Sequence, residues 1–468
     1  MGGLFGVAAK DDCLTDLFFG TDYHSHLGTR RGGMVSLNAT GFSRFIHNIE
    51  NTPFRSKFER DIFQMSGSLG IGCISDYEDQ PLLIRSHLGD YSIVTVGAIH
   101  NPGELSRLLL KKNRIHFSEM SEGDINPTEL VASLINQEAS FLDGIKRVQE
   151  SVKGSCSLLL LTREGIYAAR DRLGRTPVVL GKKKDRYAAT LETCAFPNLE
   201  YDIVKYLGPG EIVFFSAEGI EQKSPPRNKM QICSFLWVYY GYPASSYEGI
   251  NVEKVRNRCG AYLARRDDIQ PELVAGIPDS GTAHGLGYAA EAGLPFKRPF
   301  VKYTPTWPRS FMPQDQAVRD LVAKMKLIPI RKIIEGKKLL FCEDSIVRGT
   351  QLKDTIQRIF DYGAKEVHMR PACPPLIFKC PYLNFSRSKS ELDLAARKAI
   401  FELEGRDTDK LTIYTQNETA EYKAMVETIS NKLKLTTLRY QRLDDLIKAI
   451  GLPKEKLCTF CWDGRDIS

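Results

Sequence analysis

LLFCEDSIVRGTQLKD, residues 339–354, is the stretch on which the reading of this 468-residue chain turns. Four apolar residues, Leu339 to Cys342, run straight into two acids, Glu343 and Asp344. A turn of small, polar and glycine residues follows, Ser345 to Thr350, and then a helical pattern from near Gln351. A short apolar run bounded by such a turn predicts a buried strand, Lys337 to Cys342, with the acids at its exit. In an open parallel sheet, ligands bind beyond the carboxyl ends of the strands, where loops converge and helix N-termini point outward. The turn offers successive backbone N–H groups, two hydroxyls and Arg348, an arrangement suited to a phosphate dianion. Two adjacent carboxylates cannot favour the same phosphate. They are expected to accept hydrogen bonds from sugar hydroxyls or to meet a divalent cation, so the ligand reads as a phosphorylated sugar. For the acid pair taken alone, a plainer reading stands beside this one, in which the acids merely cap the next helix.

The surrounding sequence supplies the sheet. Beyond about residue 231, apolar strands such as ELVAGIP and KKLLFC are each followed by a turn and a helical pattern, HGLGYAAEAG and QLKDTIQRIFDYG, the rhythm of a parallel sheet flanked by helices. Ser390 to Glu404 place Leu392, Ala396, Ala399 and Leu403 at helical spacing, which predicts one apolar face of a covering helix. Up to about residue 220 the pattern differs. Short apolar runs (GLFGV, GSLGIGC, YSIVTVGAIHNPGE, SCSLLLLTREGIYAARD, EIVFFSAEGI) come in quick succession with turn signals between them, predicting antiparallel sheets, with a helix over Pro127 to Gln137. The polar, proline-bearing EQKSPPRNKMQ, 221–231, breaks this pattern, and the domains are read as 1–225 and 226–468.

Composition narrows the class. The chain is 42% hydrophobic and 26% charged, as in globular proteins, and its net charge of +7 is spread over short runs such as GKKKDR, which coat a solvated face. No nucleic-acid role is expected. No stretch approaches the roughly 18 to 20 apolar residues of a membrane span. The opening MGGLFGVAAKDDC has neither a basic leader nor a long apolar region, and Gly6 breaks a myristoylation pattern, so a cytoplasmic location is expected. Eleven cysteines, an odd number in a long chain, argue against a disulfide framework and leave buried thiols or metal ligation.

The ordered string around Glu343 resembles the phosphoribosylpyrophosphate (PRPP) signature of phosphoribosyltransferases. It is most similar to the form carried by the glutamine PRPP amidotransferase (amidophosphoribosyltransferase) family, which opens de novo purine synthesis. That family usually has two aspartates where this chain has Glu343 and Asp344, so the charge is kept and the reach is one methylene longer. GIPDSG, 276–281, resembles the family's pyrophosphate loop. The resemblance implies that Ser280 and Gly281 meet the diphosphate, that Ser280, Glu343 and Asp344 meet magnesium, and that Ser345, Ile346, Val347, Arg348, Gly349 and Thr350 hold the PRPP phosphate. RSFMP (309–313) and KMKLIP (324–329) are similar to a loop that closes over PRPP, with KYTPTWP inserted or rewritten before it. Arg319 and Lys326 are the diphosphate partners so implied, and Arg309, Lys326, Glu343 and Asp344 are the catalytic residues. The transfer needs its leaving group neutralised while C1 of the ribose becomes cationic, and it needs water kept out.

CTFC, 458–461, taken alone, is equally compatible with a redox pair, half a zinc site or chance. Cys380 precedes a proline, and Cys233 opens the second domain. Together, Cys233, Cys380, Cys458 and Cys461 resemble the cluster ligands of the iron–sulfur branch of the family, which implies a [4Fe-4S] cluster with a structural or oxygen-sensing role. Zinc and plain buried thiols are the alternatives. Cys373 fits the set less well, and Cys156, Cys194 and Cys342 sit in core-like runs.

The first domain resembles the N-terminal-nucleophile glutaminase of the same family. GGLFGV (2–7) is similar to its opening strand, AARDRLGRTPVVLG (168–181) to an internal segment and YLGPGEIVFF (206–215) to its closing hairpin. The fold class implied is therefore an α+β glutaminase-type sandwich followed by an α/β phosphoribosyltransferase domain with a parallel sheet. The family's nucleophilic cysteine is replaced by Gly2, its HRGQ reads HLGT (26–29), and its GHxRYST reads GCISDYE (72–78), with Ser75 where an arginine would hold the substrate carboxylate. Its oxyanion-hole HNG reads HNP (100–102), keeping Asn101 but placing a residue without an N–H at Pro102. Cys13 as a substitute nucleophile would require cutting away the opening strand.

The expectation that follows is an amidophosphoribosyltransferase-like enzyme with an inactive glutaminase half, joining ammonia to PRPP with magnesium to give 5-phosphoribosylamine and pyrophosphate. A non-catalytic homologue that binds PRPP or nucleotides and regulates or partners a true amidotransferase is the alternative. A third is a transferase acting on another amine or base. The resemblance also implies a homo-oligomer and regulation by purine nucleotides.

Overall fold

The computed structural model describes residues 2–113, 117–118, 120–121, 124–303, 327–383 and 390–465. The strand Gly3–Ala8 runs through the middle of a seven-stranded antiparallel sheet. Its spatial order is Asp202–Tyr206, Val179–Lys183, Arg186–Thr190, Gly3–Ala8, Leu69–Ser75, Arg31–Asn38 and Gly41–Asn48. A six-stranded antiparallel sheet lies against it, ordered Gly219–Ser224, Ile212–Ser216, Ile166–Ala169, Gly154–Leu161, Gly89–Ile99 and Leu82–Ser86. Successive side chains of a strand point to opposite faces, so Leu4 enters the core between the sheets with Val35, Ile71, Val94 and Leu159. Phe5 points outward, under Leu17 and Phe18 of the helix Leu14–Asp22. On the far side, Leu130, Leu134, Ile145 and Val148 of the helices Pro127–Ile135 and Phe141–Ser151 cover Ile93, Leu158 and Leu160. The result is a helix–sheet–sheet–helix sandwich in which every residue of Gly3–Ala8 is buried. The helix Pro127–Ile135 starts where the sequence predicts, with Asn126 accepting from Thr128 N at 2.8 Å and Glu129 N at 3.4 Å and proline in the first turn.

In the second half, Leu273–Gly276, Lys338–Glu343, Glu366–Pro371 and Thr437–Leu438 form a parallel sheet in that order. Leu340 and Cys342 face Val255, Cys259 and Tyr288 of the helices Val252–Arg265 and Thr282–Ala292. Leu339 and Phe341 face Ile356, Ile400, Met425 and Ile429 of the helices Thr350–Asp361, Ala395–Glu404 and Ala420–Leu433. Burial on both faces is why this strand reads as an unbroken apolar run. One cluster runs from Leu4 in the sandwich through Ile232, Phe235, Trp237 and Val238 to Leu340 in the parallel sheet. Among the described residues no helix is long and apolar enough to cross a membrane.

Two expectations need correction. The central strand spans Lys338–Glu343 rather than Lys337–Cys342, so Glu343 is its last residue and pairs in register with Pro371. The helix expected over Ser390 to Glu404 begins only at Ala395, because Ser390 caps a separate short turn and Leu394 is extended (ψ 134°). Its core face is Ala396, Ala399 and Ile400, while Leu403 is 45% exposed.

Candidate functional site

The acid pair sits where two loops are held together by backbone. Ile277 N donates to Cys342 O (3.0 Å), and Gly281 N donates to Ile277 O (2.8 Å), closing the loop 277–281 against the end of the central strand. A Cβ at Gly281 would lie 2.1 Å from Cys342 O, so only glycine permits this approach. The loop delivers Ser280, whose Oγ donates to Glu343 Oε1 at 2.7 Å; Asp344 N donates to the same oxygen at 3.0 Å. Ser345 Oγ donates to Asp344 Oδ1 at 2.5 Å. Gly281→Ala is therefore expected to push the loop off the strand and destabilise the protein by about 1–3 kcal/mol, the scale typical of overpacking. Chemical denaturation reads this; an unchanged midpoint would show that the loop yields without cost.

Both acids are buried, Glu343 at 8% exposure and Asp344 at 5%. Burial pushes the Glu343 carboxyl well above the usual range, and the neighbouring Asp344 pushes it further. Burial also raises Asp344, against hydrogen bonds from Ser345 and Ser280 and the charge of Arg256. Arg256 is a buried cation of the helix Val252–Arg265. Its guanidinium donates to the carbonyls of Trp237 (3.0 Å), Tyr239 (2.9 Å) and Gly241 (2.8 Å). The loop after the acids has two kinds of residue. Ile346 is buried in the core and Val347 O accepts from Ala395 N (2.7 Å), whereas Arg348 and Thr350 are exposed. Gly349, at φ 75°, turns the chain into the helix Thr350–Asp361, whose first N–H groups take no side-chain cap. Arg309, Arg319 and Lys326 lie outside the described residues.

A second group forms around the cysteines. Ile232–Cys233 pairs in parallel with Leu457–Cys458, setting Cys233 opposite Cys458. Cys380 meets Cys461 and takes the N–H groups of Tyr382 (3.5 Å) and Leu383 (3.4 Å) on its sulfur. Its contact with Cys461 is the main reason its thiol falls to about 6, against burial. Each of the four thiols lies within electrostatic reach of the other three. Arg175 Nη1 donates to Cys458 Sγ at 3.1 Å, and two buried atoms beside the set, Arg175 Nε and Ser234 Oγ, have no partner among the described residues. Among the described residues, no three His, Cys, Asp or Glu side chains close around a single ion position. Cys373 lies nearer the acid pair, and Cys156, Cys194 and Cys342 are buried.

Gly2 and the stretch Ser75 to Glu78 line a cavity of about 310 Å³ with Gly97 and Cys156, and Leu383 of the second half stands in its wall. A Cβ at Gly2 would lie 2.3 Å from Ile74 O, so this backbone leaves no room for a side chain at that position. Ser75 Oγ donates to Glu78 O at 2.6 Å. Asn101 spends its carboxamide on Ser151 O and Lys153 N, both at 3.0 Å, and Pro102 opens the helix Pro102–Asn113. Thr29 donates through N (3.0 Å) and Oγ1 (3.2 Å) to Asp76. His26 lies 3.4 Å from Glu192, a fully buried acid that also accepts from Tyr247 OH at 2.6 Å and from Ser245 Oγ. Cys13 is buried before the helix Leu14–Asp22, and burial drives its thiol pKa far up, away from nucleophilic use. Glu192, Arg256 and Arg175 are residues that sequence reasoning missed, since an isolated charge in a sequence gives no sign of being buried.

Comparison with known proteins adds to this geometry. Residues 68–196 match the family model for a glutamine amidotransferase domain. The chain is 30% identical to the amidophosphoribosyltransferase of Archaeoglobus fulgidus, over 69% of this chain and 70% of that protein. Identity is 31% to the chloroplastic enzyme of Vigna aconitifolia, over 78% and 76%, and 28% to that of Methanocaldococcus jannaschii, over 99% and 97%. The structure of glutamine PRPP amidotransferase from B. subtilis, complexed with ADP and GMP, superposes with a TM-score of 0.85 at 26% identity, covering 99% of this chain and 97% of that one.

Proposed function

Since the chain belongs to the amidophosphoribosyltransferase family, we propose that it joins ammonia to PRPP in the second domain, while the first domain no longer hydrolyses glutamine. The observation that carries this reading is the contrast between its two sites. Glu343, Asp344 and Ser280 are built into one hydrogen-bonded unit at the mouth of the parallel sheet. The cavity that would hold glutamine has no room for a side chain at Gly2. In the transfer, the nitrogen lone pair of ammonia forms a bond to C1 of the ribose as the C1–O bond to pyrophosphate breaks. The leaving group departs with the bonding pair, and the nitrogen gives up one proton. The N–H groups of Ser345 to Thr350 and the helix beginning at Thr350 hold the 5′-phosphate. Glu343 and Asp344 accept the ribose hydroxyls, and the loop 277–281 carries the diphosphate. Two coupled carboxyls whose burial opposes their charge fit a divalent cation, and Ser280, Glu343 and Asp344 would hold it. Magnesium supplies neutralisation of the leaving pyrophosphate.

The cysteine set fits an iron–sulfur cluster by its donors, four thiols from three separate segments, and by two buried donors beside it, Arg175 Nε and Ser234 Oγ, that lack acceptors among the described residues. Cys233, Cys380, Cys458 and Cys461 would hold it, and it would fasten residues 232–233 and 380 to the C-terminal segment. The ADP and GMP named with the B. subtilis relative support a nucleotide-responsive enzyme here, and a homo-oligomer belongs to the same reading.

Purified protein given PRPP and magnesium is expected to release pyrophosphate with ammonium salts and not with glutamine. Turnover with glutamine would overturn the loss of glutaminase activity. Silence with both, alongside measurable PRPP binding, would favour the non-catalytic, regulatory homologue.

A further inference from the structure

Arg175 belongs to the first domain yet ends at the thiols of the second. Its loop is fixed by Asp171, which accepts from Leu173 N (3.2 Å) and Arg175 N (3.0 Å) through one oxygen and from Thr176 N and Oγ1 (both 3.0 Å) through the other. Arg175 O accepts from Cys233 N (3.1 Å) and Leu173 O from Gln231 N (2.7 Å), so the loop is tied to the strand carrying Cys233. The side chain is 2% exposed. Its guanidinium carbon lies 3.3 Å from the centroid of the Tyr382 ring, its Nη1 reaches Cys458 Sγ at 3.1 Å, and its Nε has no partner among the described residues. A guanidinium buried this deeply needs anionic company. Asp171, the buried acid of the same loop, spends both oxygens on backbone N–H groups and on Thr176 Oγ1, and the group the guanidinium reaches is the Cys458 sulfur.

We propose that Arg175 is the counter-cation of the cysteine-held cluster, a positioning residue by which the first domain ties its own docking to cluster loading and to the cluster's reduction potential. This rests on reading the four cysteines as iron–sulfur ligands. A cluster bound by four thiolates carries net negative charge in a buried place, and a hydrogen bond to a ligating sulfur withdraws electron density and raises its potential. Lysine would keep the charge but neither the planar stack on Tyr382 nor the forked donors.

The test compares anaerobically prepared full-length wild type, Arg175→Gln and Arg175→Lys by iron and sulfide content, by dye-mediated redox titration and by the rate of iron loss to a chelator. Wild type is expected to hold iron and sulfide. Arg175→Gln should show a more negative midpoint and lose iron about tenfold faster or more, the scale of outer-shell effects on metal retention, with Arg175→Lys between the two. If Arg175→Gln does not fold, the lysine variant decides, since it too should shift. Wild-type midpoint and iron-loss rate in the variants would overturn the inference and leave the cluster standing. Wild type without iron or sulfide would overturn the cluster reading and the inference together.

Discussion

Changing Glu343→Gln together with Asp344→Asn is expected to lower kcat/KM for pyrophosphate release from PRPP by about 1,000-fold or more, near 4 kcal/mol, and to raise the melting temperature of the ligand-free protein. The two effects have one cause. Both carboxyls are buried and side by side, so ionising them in the empty site is unfavourable, and amides of the same shape remove that penalty along with the function. The folded chain holds protons here to higher pH than the unfolded chain does. The pair's contribution to stability is therefore fully present below the ordinary carboxylate range and is lost as pH rises through the raised folded values. Ligand-free wild type should lose melting temperature, as pH rises above the ordinary carboxylate range, more steeply than the variant. Binding of PRPP with magnesium should expel protons from the wild type, visible as a binding enthalpy that changes with the ionisation enthalpy of the buffer. A variant with wild-type turnover, or with an identical pH slope of melting, would contradict this account.

How much of this site could be read beforehand follows from where its partners lie along the chain. Glu343 to Thr350 are contiguous, so their order could be matched to a chemistry before any contact was known. Ser280 was legible because GIPDSG is itself a compact string, although its bond to Glu343 spans 63 positions. Arg175 lay within a stretch read as similar to the family's, but its role was missed, since its sulfur partner is 283 positions away. Arg256 could not be read at all. A lone arginine on an amphipathic helix is ordinarily solvated, and what buries this one is a set of three carbonyls from the segment 237–241. The first domain's motifs were read for what they had lost. The structure adds what their residues now do: Asn101 and Thr29 hold turns, and His26 faces a buried acid.

The fold was legible wherever burial is lopsided or complete in a regular way. Leu339 to Phe341 touch core on both faces, which leaves an apolar run no loop would carry. The helix near residue 400 was misjudged because spacing alone does not say where a helix begins. Leu392 and Leu403 lie 11 residues apart, a helical repeat, but Leu394 is extended and the register starts afresh at Ala395. The core then takes Ile400 in place of Leu403, which is left in solvent.

Glu192→Ala is expected to destabilise the protein by about 3–5 kcal/mol, as when one partner of a buried polar network is removed, and to separate the unfolding of its two halves. Glu192 belongs to the sandwich, and two of its hydrogen-bond donors, Ser245 and Tyr247, belong to the second half. Removing the carboxylate takes the acceptor from the buried Tyr247 phenol and from the hydroxyl proton of buried Ser245, whose oxygen keeps the N–H of Cys194. Trp237, Trp307 and Trp462 all lie beyond residue 226, so tryptophan emission follows the second half alone, while far-ultraviolet circular dichroism follows both. In wild type the two signals should share one denaturation curve; in Glu192→Ala they should part. Acid should act on wild type in the same direction. Burial opposes the charge of Glu192, but hydrogen bonds from His26, Ser245 and Tyr247 outweigh it and hold its carboxyl below the usual range. This contribution is present above the ordinary carboxylate pKa and is lost as pH falls through the lowered folded value, the reverse of the Glu343–Asp344 pair. Acid should thus loosen the junction between the halves while relieving the buried Glu343–Asp344 pair, and Glu192→Gln, which cannot titrate, should lose only the first of these responses. Coincident curves for Glu192→Ala would mean that the shared apolar core through Ile232, Phe235 and Trp237 couples the halves without help from this acid.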